Sequence, residues 1–580
     1  MRALGSTTCR GYVADMRSQP VLRNRARTPR PELRGPRPDV DADACVIGGG
    51  VNGLVASIAL ADAGWDVVLI EGTALGGAVR SVRRRPETVT DMFSAFYPLT
   101  AASPIIGALA LDQHGLEWSH APAVIAHPPD AEATTAAVLY RDVDRTASAL
   151  DDDHRGDGGR WIQAYEDWQR LRDPLLDALF SPFPPLAPMA RIARVLGLAD
   201  GLRTARFLLL PVHRMGEELF GGEHGRLLLT GNALHADIPT IAPMSGLFGW
   251  LLTMLGQDVG YPAPRGGAGE LTAALVRRAE AAGVQIEVGT PVDQVLLASG
   301  KAVGARLADG RLIRARRATI AAIDAPALFQ RLLPYDAVPA ALHEDLAHFD
   351  RDLPTVKVNW TLPDTPKWRS SPTADAGTVH IGANAATAVQ WSADLESGVV
   401  GERPFMLLGQ MTTADATRST DGSESVWAYT HLPRGCTVAR QGVDAVAAAV
   451  DRTVAGIEAT LEEHAPGFTD GVLDRFVQGP ADLQAANPNL VDGGVNGGTA
   501  QLHQQAVFRP VTGLGRPNTA VPGLYLGGSS VHPGGGVHGA CGWNAAVTVL
   551  ADHGVLGPLR RTAATAIQDR LYRDRPERIR

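Results

Sequence analysis

The chain has 580 residues, 45% of them hydrophobic and 20% charged, with a formal net charge of −8. That length buries a large core and implies two domains or two interleaved ones, while the acidic balance and the lack of any RNA- or DNA-reading motif argue against nucleic acid as a partner. Cys9, Cys45, Cys436 and Cys541 lie far apart with no CxxC pair, which suggests neither a disulfide framework, nor a metal site, nor a redox-active cysteine couple, and fits a reducing, cytoplasmic setting.

Residues 1–40 hold nine arginines, several prolines and three acids, a composition expected to stay disordered as a basic tail. The first strong signal follows. A short apolar strand ends at Ile47 and runs into Gly48, Gly49, Gly50, Val51, Asn52 and Gly53, after which a helix begins. Gly48 opens the turn, Gly50 lets backbone amides approach a pyrophosphate, and Gly53 lets the helix lie close on the sheet, with its N-terminal N–H groups offered to the phosphates. The helix reads as amphipathic, with Leu54, Ile58 and Ala61 on one side. A second strand, Val67 to Ile70, is closed by Glu71, eighteen residues after Gly53, where a carboxylate accepts both ribose hydroxyls and disfavours a 2′-phosphate. FAD or NAD therefore fits better than NADP. Gly76 and Gly77 suggest another loop against the cofactor, with Arg80 and Ser81 beside it. Phe93, Phe96 and Tyr97 read either as core or as the wall of a flavin or substrate site.

From about residue 121 to 261 the βαβ rhythm is lost. Trp161 to Leu179 predicts a helix with Trp161, Tyr165, Trp168 and Leu171 on one face, and the apolar runs Phe207–Val212 and Leu247–Leu255 are too short to span a bilayer. His235 and Asp237 are candidates for an acid or base, or for a hydrogen-bonded structural pair. The glycines after Tyr261 mark a return to the first pattern: a helix to Ala282, strands Val284–Val288 and Val292–Ala298, a hairpin turn at Ser299-Gly300, and strands on to Ile323. Strands around Thr355–Leu362 and Phe405–Met411 and a helix from Gly442 to Glu463 make a second mixed segment.

A buried strand at Leu524–Leu526 then enters a glycine-rich loop, Gly527, Gly528 and Ser529 through His532, Gly535, Gly536, Val537 and His538, before a helix of small residues. Such a loop suits close approach of a flat ring, and the helix dipole stabilises negative charge on a reduced flavin.

These motifs together, Gly48 to Gly53 with Glu71, Gly76-Gly77, the Gly266-Gly267 entry and the Gly527 to Gly539 block, resemble the phytoene desaturase-like branch of FAD-dependent amine-oxidase-fold proteins over residues 41–555. The resemblance implies FAD as cofactor and an α/β fold, a Rossmann-like FAD/NAD(P)-binding domain interleaved with a mixed α+β substrate domain. It adds Val292 to the FAD positions. Ala78 stands where phytoene desaturases tend to carry arginine, which points away from a true carotenoid desaturase. The expected division is FAD-binding parts at 41–120, 262–339 and 500–556, substrate or cap parts at 121–261 and 340–499, and a C-terminal basic helix at 557–580.

The expected reaction is hydride transfer from a C–H bond of a hydrophobic small molecule to flavin N5, with reoxidation by oxygen, a quinone or another acceptor. His532 and His538 are the candidates for tuning the flavin or moving a proton. Two alternatives stand beside it: a flavin amine oxidase, and a non-catalytic prenyl or lipid binder on the same fold, as in Rab GDP-dissociation inhibitors. Leu559, Ile567 and Leu571 beside Arg560, Arg561, Arg570 and Arg573 read equally as a peripheral membrane contact or a solvated surface helix.

Overall fold

The computed structural model describes residues 39–573, so all but the last two positions of the basic tail lie outside the described residues. The first glycine-rich segment forms strand β1 (Val40–Ile47), helix α1 (Val51–Asp62) and strand β2 (Val67–Glu71), with β1 and β2 parallel and Ile47 opposite Ile70. Parallel strands continue the sheet on both sides: Gln285–Val288 beside β2, Leu312–Ala321 beside β1, and Leu524–Leu526 against the last residues of Leu312–Ala321. A hairpin, Val292–Ala298 and Lys301–Leu307, adds an antiparallel edge, and its turn residues Ser299 and Gly300 both take positive φ. The chain thus builds one sheet from three separate segments, which is the interleaved α/β arrangement the motifs imply.

One expectation changes. α1 is not an amphipathic surface helix: Val55, Ala56 and Ala59 are buried along with Leu54 and Ile58. The sheet covers one side of it and helix α2 (Ala540–Asp552) crosses the other so closely that a Cβ on Gly542 would stand 1.8 Å from the Asn52 carbonyl oxygen. Small residues along α2 are what permit that approach, and a helix buried on both sides has no polar face to show.

The second sheet is mixed. Strands β3 (Thr355–Leu362) and β4 (Glu424–His431) pair antiparallel near one edge, flanked by Asp474–Gln478 on one side and by Met406–Gln410, Ala376–Ile381, Ala123–His127 and Ala137–Leu139 on the other. Val356, Val358, Trp360 and Leu362 of β3 join a core with Val446, Ile457 and Leu461 of helix Val443–His464. The alternate residues Thr355, Lys357, Asn359 and Thr361 are also buried, on the opposite face.

Between residues 143 and 258 a helical layer covers part of that face. The expected Trp161–Leu179 helix lies inside Asp157–Phe180, with Trp161 and Trp168 fully buried and Trp168 edge-on to Trp250 at 5.6 Å. Among the described residues no helix is long and apolar enough to cross a membrane. In the C-terminal helix Gly557–Gln568, Leu559 and Ile567 are exposed, Leu571 just beyond it packs on the core, and Arg560 and Arg561 both turn onto Asp552.

Candidate active site

A cavity of about 730 Å³ runs from the β1–α1 turn to the polar face of β3 and β4. Its first half is built of turns. Gly48, at φ +102, holds its α-carbon against the Ala322 carbonyl, and Gly53 lies so close to Gly48 that a Cβ would stand 1.8 Å from the Gly48 oxygen. Gly50 is different: a Cβ there would meet only the Gly77 Cα, at 3.9 Å, so the space over it is open to the cavity. α1 starts at that point with no side-chain cap and no acidic residue in its first turn. Its N-terminal N–H groups are therefore donors aimed at a site with room for an anion, which fits a pyrophosphate.

Glu71 ends β2 at the cavity wall, its carboxylate fixed by N–H groups of Gly49 (2.7 Å) and Thr73 (2.8 Å). Val292 forms the same wall. Arg80 lies over the Phe93 ring, 5.1 Å from its centroid, and donates to the carbonyls of Gly77 and Ala486. Gly528, Ser529, Gly535, Gly536 and Val537 line the cavity from the C-terminal side. That loop is held open by Arg509, fully buried, whose guanidinium donates to the carbonyls of Asn496, Gly497, Thr499 and Ser529. The residues present thus fit FAD: an anion cradle, an acid for the ribose and a glycine-lined slot for a ring.

The second half is a chamber. Leu179, Phe248, Leu251 and Leu252 of the helical layer face it from one side, and Phe93, Phe96 and Tyr97 from another. On β3 and β4 the cross-strand pair Lys357–Tyr429 and the neighbouring Trp427 form its floor, with the Trp427 and Tyr429 rings stacked at 6.0 Å. The Lys357 ammonium donates to the carbonyls of Asp91 and Phe93 and lies 5.6 Å from the Trp427 ring centroid. Burial pushes its amine down to about 7, Asp91 opposing and Arg418 adding to the shift. The acidic residues on the cavity wall are both engaged elsewhere: Glu71 as above, and Asp324 with Arg351 at 3.0 Å.

The profile of the family described as "Flavin containing amine oxidoreductase" matches residues 133–426, and that of the NAD(P)-binding Rossmann-like domain matches residues 46–106. The chain belongs to the flavin-containing amine oxidoreductase family. FAD is its cofactor and oxidoreduction of a small molecule its activity. Pyridine nucleotide-disulfide oxidoreductase domain-containing protein 2 of Rattus norvegicus is 28% identical over 565 residues, covering 88% of this chain and 93% of that protein. Hydroxyneurosporene desaturase of Cereibacter sphaeroides is 28% identical over 321 residues, covering 52% of this chain and 60% of the desaturase. Among solved structures, a putrescine oxidase bound to putrescine superposes with a TM-score of 0.56 at 16% identity, covering 88% of this chain and 99% of that one, a likeness of fold.

In this amine oxidoreductase the sequence-derived site residues separate by task. Gly48, Gly50, Val51, Asn52, Glu71, Gly76, Gly77, Arg80 and Val292 all line the cavity. Gly53 and Gly527 lie behind it, Gly53 against Gly48 and Gly527 with its α-carbon between Ile320 and Ala545. His538 lines the cavity, but its Nδ1 accepts the Ala540 N–H at 3.0 Å and its ring packs on Phe180. His532 lies outside the wall, edge-on to Phe183, and burial lowers both imidazoles to about 4. His235 and Asp237 do not bond each other. His235 shares a hydrogen with His380, Nε2 to Nε2 at 2.8 Å, and Asp237 bonds His431 at 2.6 Å. Lys357, Thr355 and Arg509 belong to no motif that spacing reveals; the one visible signal is a single lysine inside an alternating apolar strand.

Proposed function

We propose that this oxidoreductase dehydrogenates an apolar, uncharged substrate lying between the helical layer and the β3–β4 floor. FAD, when bound, supplies the oxidant, accepting a hydride from carbon at N5. The protein's own residues do the rest. Leu179, Phe248, Leu251 and Leu252 bind the substrate by burying its apolar surface and keep water from the reacting carbon. Lys357 sets the charge of the floor: above about pH 7 its Nζ is neutral and an apolar chain meets no net charge there.

The observation that carries this reading is that, among the described residues, neither carboxylate of the cavity wall, Glu71 or Asp324, is left free to pair with an ammonium. A cationic amine would face an apolar roof and, above about pH 7, a neutral lysine that offers it no counter-charge. The test is anaerobic mixing of the FAD-loaded protein at pH 8 with hydroxyneurosporene in detergent, with putrescine and with NADH, following the flavin band. Bleaching by the polyene, used as a probe for a long apolar substrate and not as the named one, and not by putrescine or NADH is the expected result. Bleaching by putrescine alone would establish the amine-oxidase alternative instead.

A further inference from the structure

On the chamber floor the pairing of β3 with β4 ends in a polar couple. Thr355, which lines the chamber, stands directly opposite His431, and its Oγ1 is 3.4 Å from His431 Nδ1. The other imidazole nitrogen, Nε2, is 2.6 Å from Asp237 Oδ1, and Asp237 Oδ2 accepts the side-chain N–H of Asn496 at 2.6 Å. Asn496 itself lines the chamber. Asp237 is held in the left-handed region, φ +55, a conformation that disfavours non-glycine residues and is kept here by these partners.

Behind this couple lies a second, separate cleft of about 10 Å³, room for a single water. Asp237 and His431 form its inner wall and Glu396, 34% exposed, stands at its rim. Hydroxyl, imidazole and carboxylate therefore span the wall between the chamber and the outside of the molecule. Other ionisable groups facing His431 are Asp352, whose carboxylate accepts the N–H groups of Asn496 and Gly498, and Tyr429, whose ring stands 5.7 Å away. Burial alone would lower the His431 imidazole, but the Asp237 carboxylate outweighs it and raises it, whereas burial unopposed lowers the His235 ring to about 3.

We propose that Thr355, His431 and Asp237 form a relay that carries a proton between the substrate chamber and the outer cleft. The inference rests on the dehydrogenation reading above. Oxidation removes two hydrogens from the substrate: one leaves with both electrons to FAD, and the other leaves as a proton. Thr355 Oγ1 takes that proton as its own passes to His431 Nδ1; the imidazole then gives its Nε2 proton through Asp237 to water in the cleft. These hops leave the imidazole protonated at Nδ1 and bare at Nε2, so the relay returns to its starting state by tautomer exchange of His431 once the cleft water has passed its proton to solvent, and the substrate's two hydrogens and two electrons are all accounted for.

The experiment needs no identified substrate. FAD-loaded protein is photoreduced by a laser flash with EDTA as the electron donor, and the protonation that follows is timed from the visible spectrum in H2O and in D2O. Thr355→Val should slow it about tenfold or more and change its solvent isotope effect, with Thr355→Ser restoring the wild-type rate. In FAD-free protein labelled with nitrogen-15 histidine, His431 should titrate above the ordinary value of about 6.5, and Asp237→Asn should lower it. An unchanged protonation rate in a Thr355→Val variant that melts and binds FAD as the wild type does would overturn the relay alone. So would a Thr355→Ser variant as slow as the valine one, since a packing role would explain both. A protein that takes up no FAD at all would remove the dehydrogenation reading, and the relay with it.

Discussion

Lys357 is buried at 3% exposure among residues that offer it two carbonyl acceptors and one aromatic face, but no carboxylate within hydrogen-bond reach. Its amine falls to about 7, against about 10.4 in an unfolded chain. Between those values the unfolded chain binds the proton that the native state has shed. Stability therefore rises with pH from 7 upward, and the charged, buried amine is a full penalty below 7. A Lys357→Met variant lacks that penalty. Its melting temperature relative to wild type should be about 1–2 °C higher at pH 6 than at pH 9, given roughly 1.4 kcal/mol per pKa unit spread over a chain of this size. Equal differences at the two pH values would mean that Lys357 stays charged throughout.

The β1–α1 turn is legible in the sequence almost whole. Its glycines, helix start and acid lie within about thirty residues, so spacing alone tells where phosphate and ribose would sit. Two of those glycines nonetheless do different work. Gly50→Ala adds a methyl to open space and should leave the FAD-free protein's melting within about 0.5 kcal/mol of wild type, while lowering FAD affinity at least about tenfold. Gly53→Ala drives a methyl into the Gly48 carbonyl and should cost about 1–3 kcal/mol in the FAD-free protein. Isothermal titration with FAD beside thermal melts separates the two; a destabilised Gly50→Ala would show that the space over Gly50 is not free. The β3–β4 floor is not legible in the same way. A lysine in Thr-Val-Lys-Val-Asn-Trp is visible in the sequence, but which face of the strand meets a cavity is decided by residues far along the chain. His431 and Asp237 are 194 positions apart and Asp237 and Asn496 are 259 apart, and no spacing rule joins them. The amphipathic reading of α1 fails for a related reason, since its second covering, α2, comes some 490 residues later.

At the scale of the whole molecule, one cavity touches both sheets. The parallel sheet supplies the Gly48–Gly53 turn and Glu71, the mixed sheet supplies Thr355, Lys357, Trp427 and Tyr429, and the loop pinned by Arg509 closes the space between them. A buried ion network ties the short strand Thr88–Asp91 to the turn at Ala416–Arg418: Arg418 meets Asp91 at 2.8 Å and Asp415 at 3.1 Å, all three side chains within 2% of full burial. A cofactor seated in that cavity binds the native arrangement of both sheets and neither sheet alone, so it stabilises them as a unit. The most direct measurement is a thermal melt of the purified protein with and without FAD, followed at once by far-ultraviolet circular dichroism and by the visible flavin band. With FAD at about a hundred times its dissociation constant, a single transition should move upward by the equivalent of about 2.7 kcal/mol, and the flavin should be released in that same transition. Flavin lost well before the chain unfolds, or a transition that FAD does not move, would contradict a cofactor held between the two sheets.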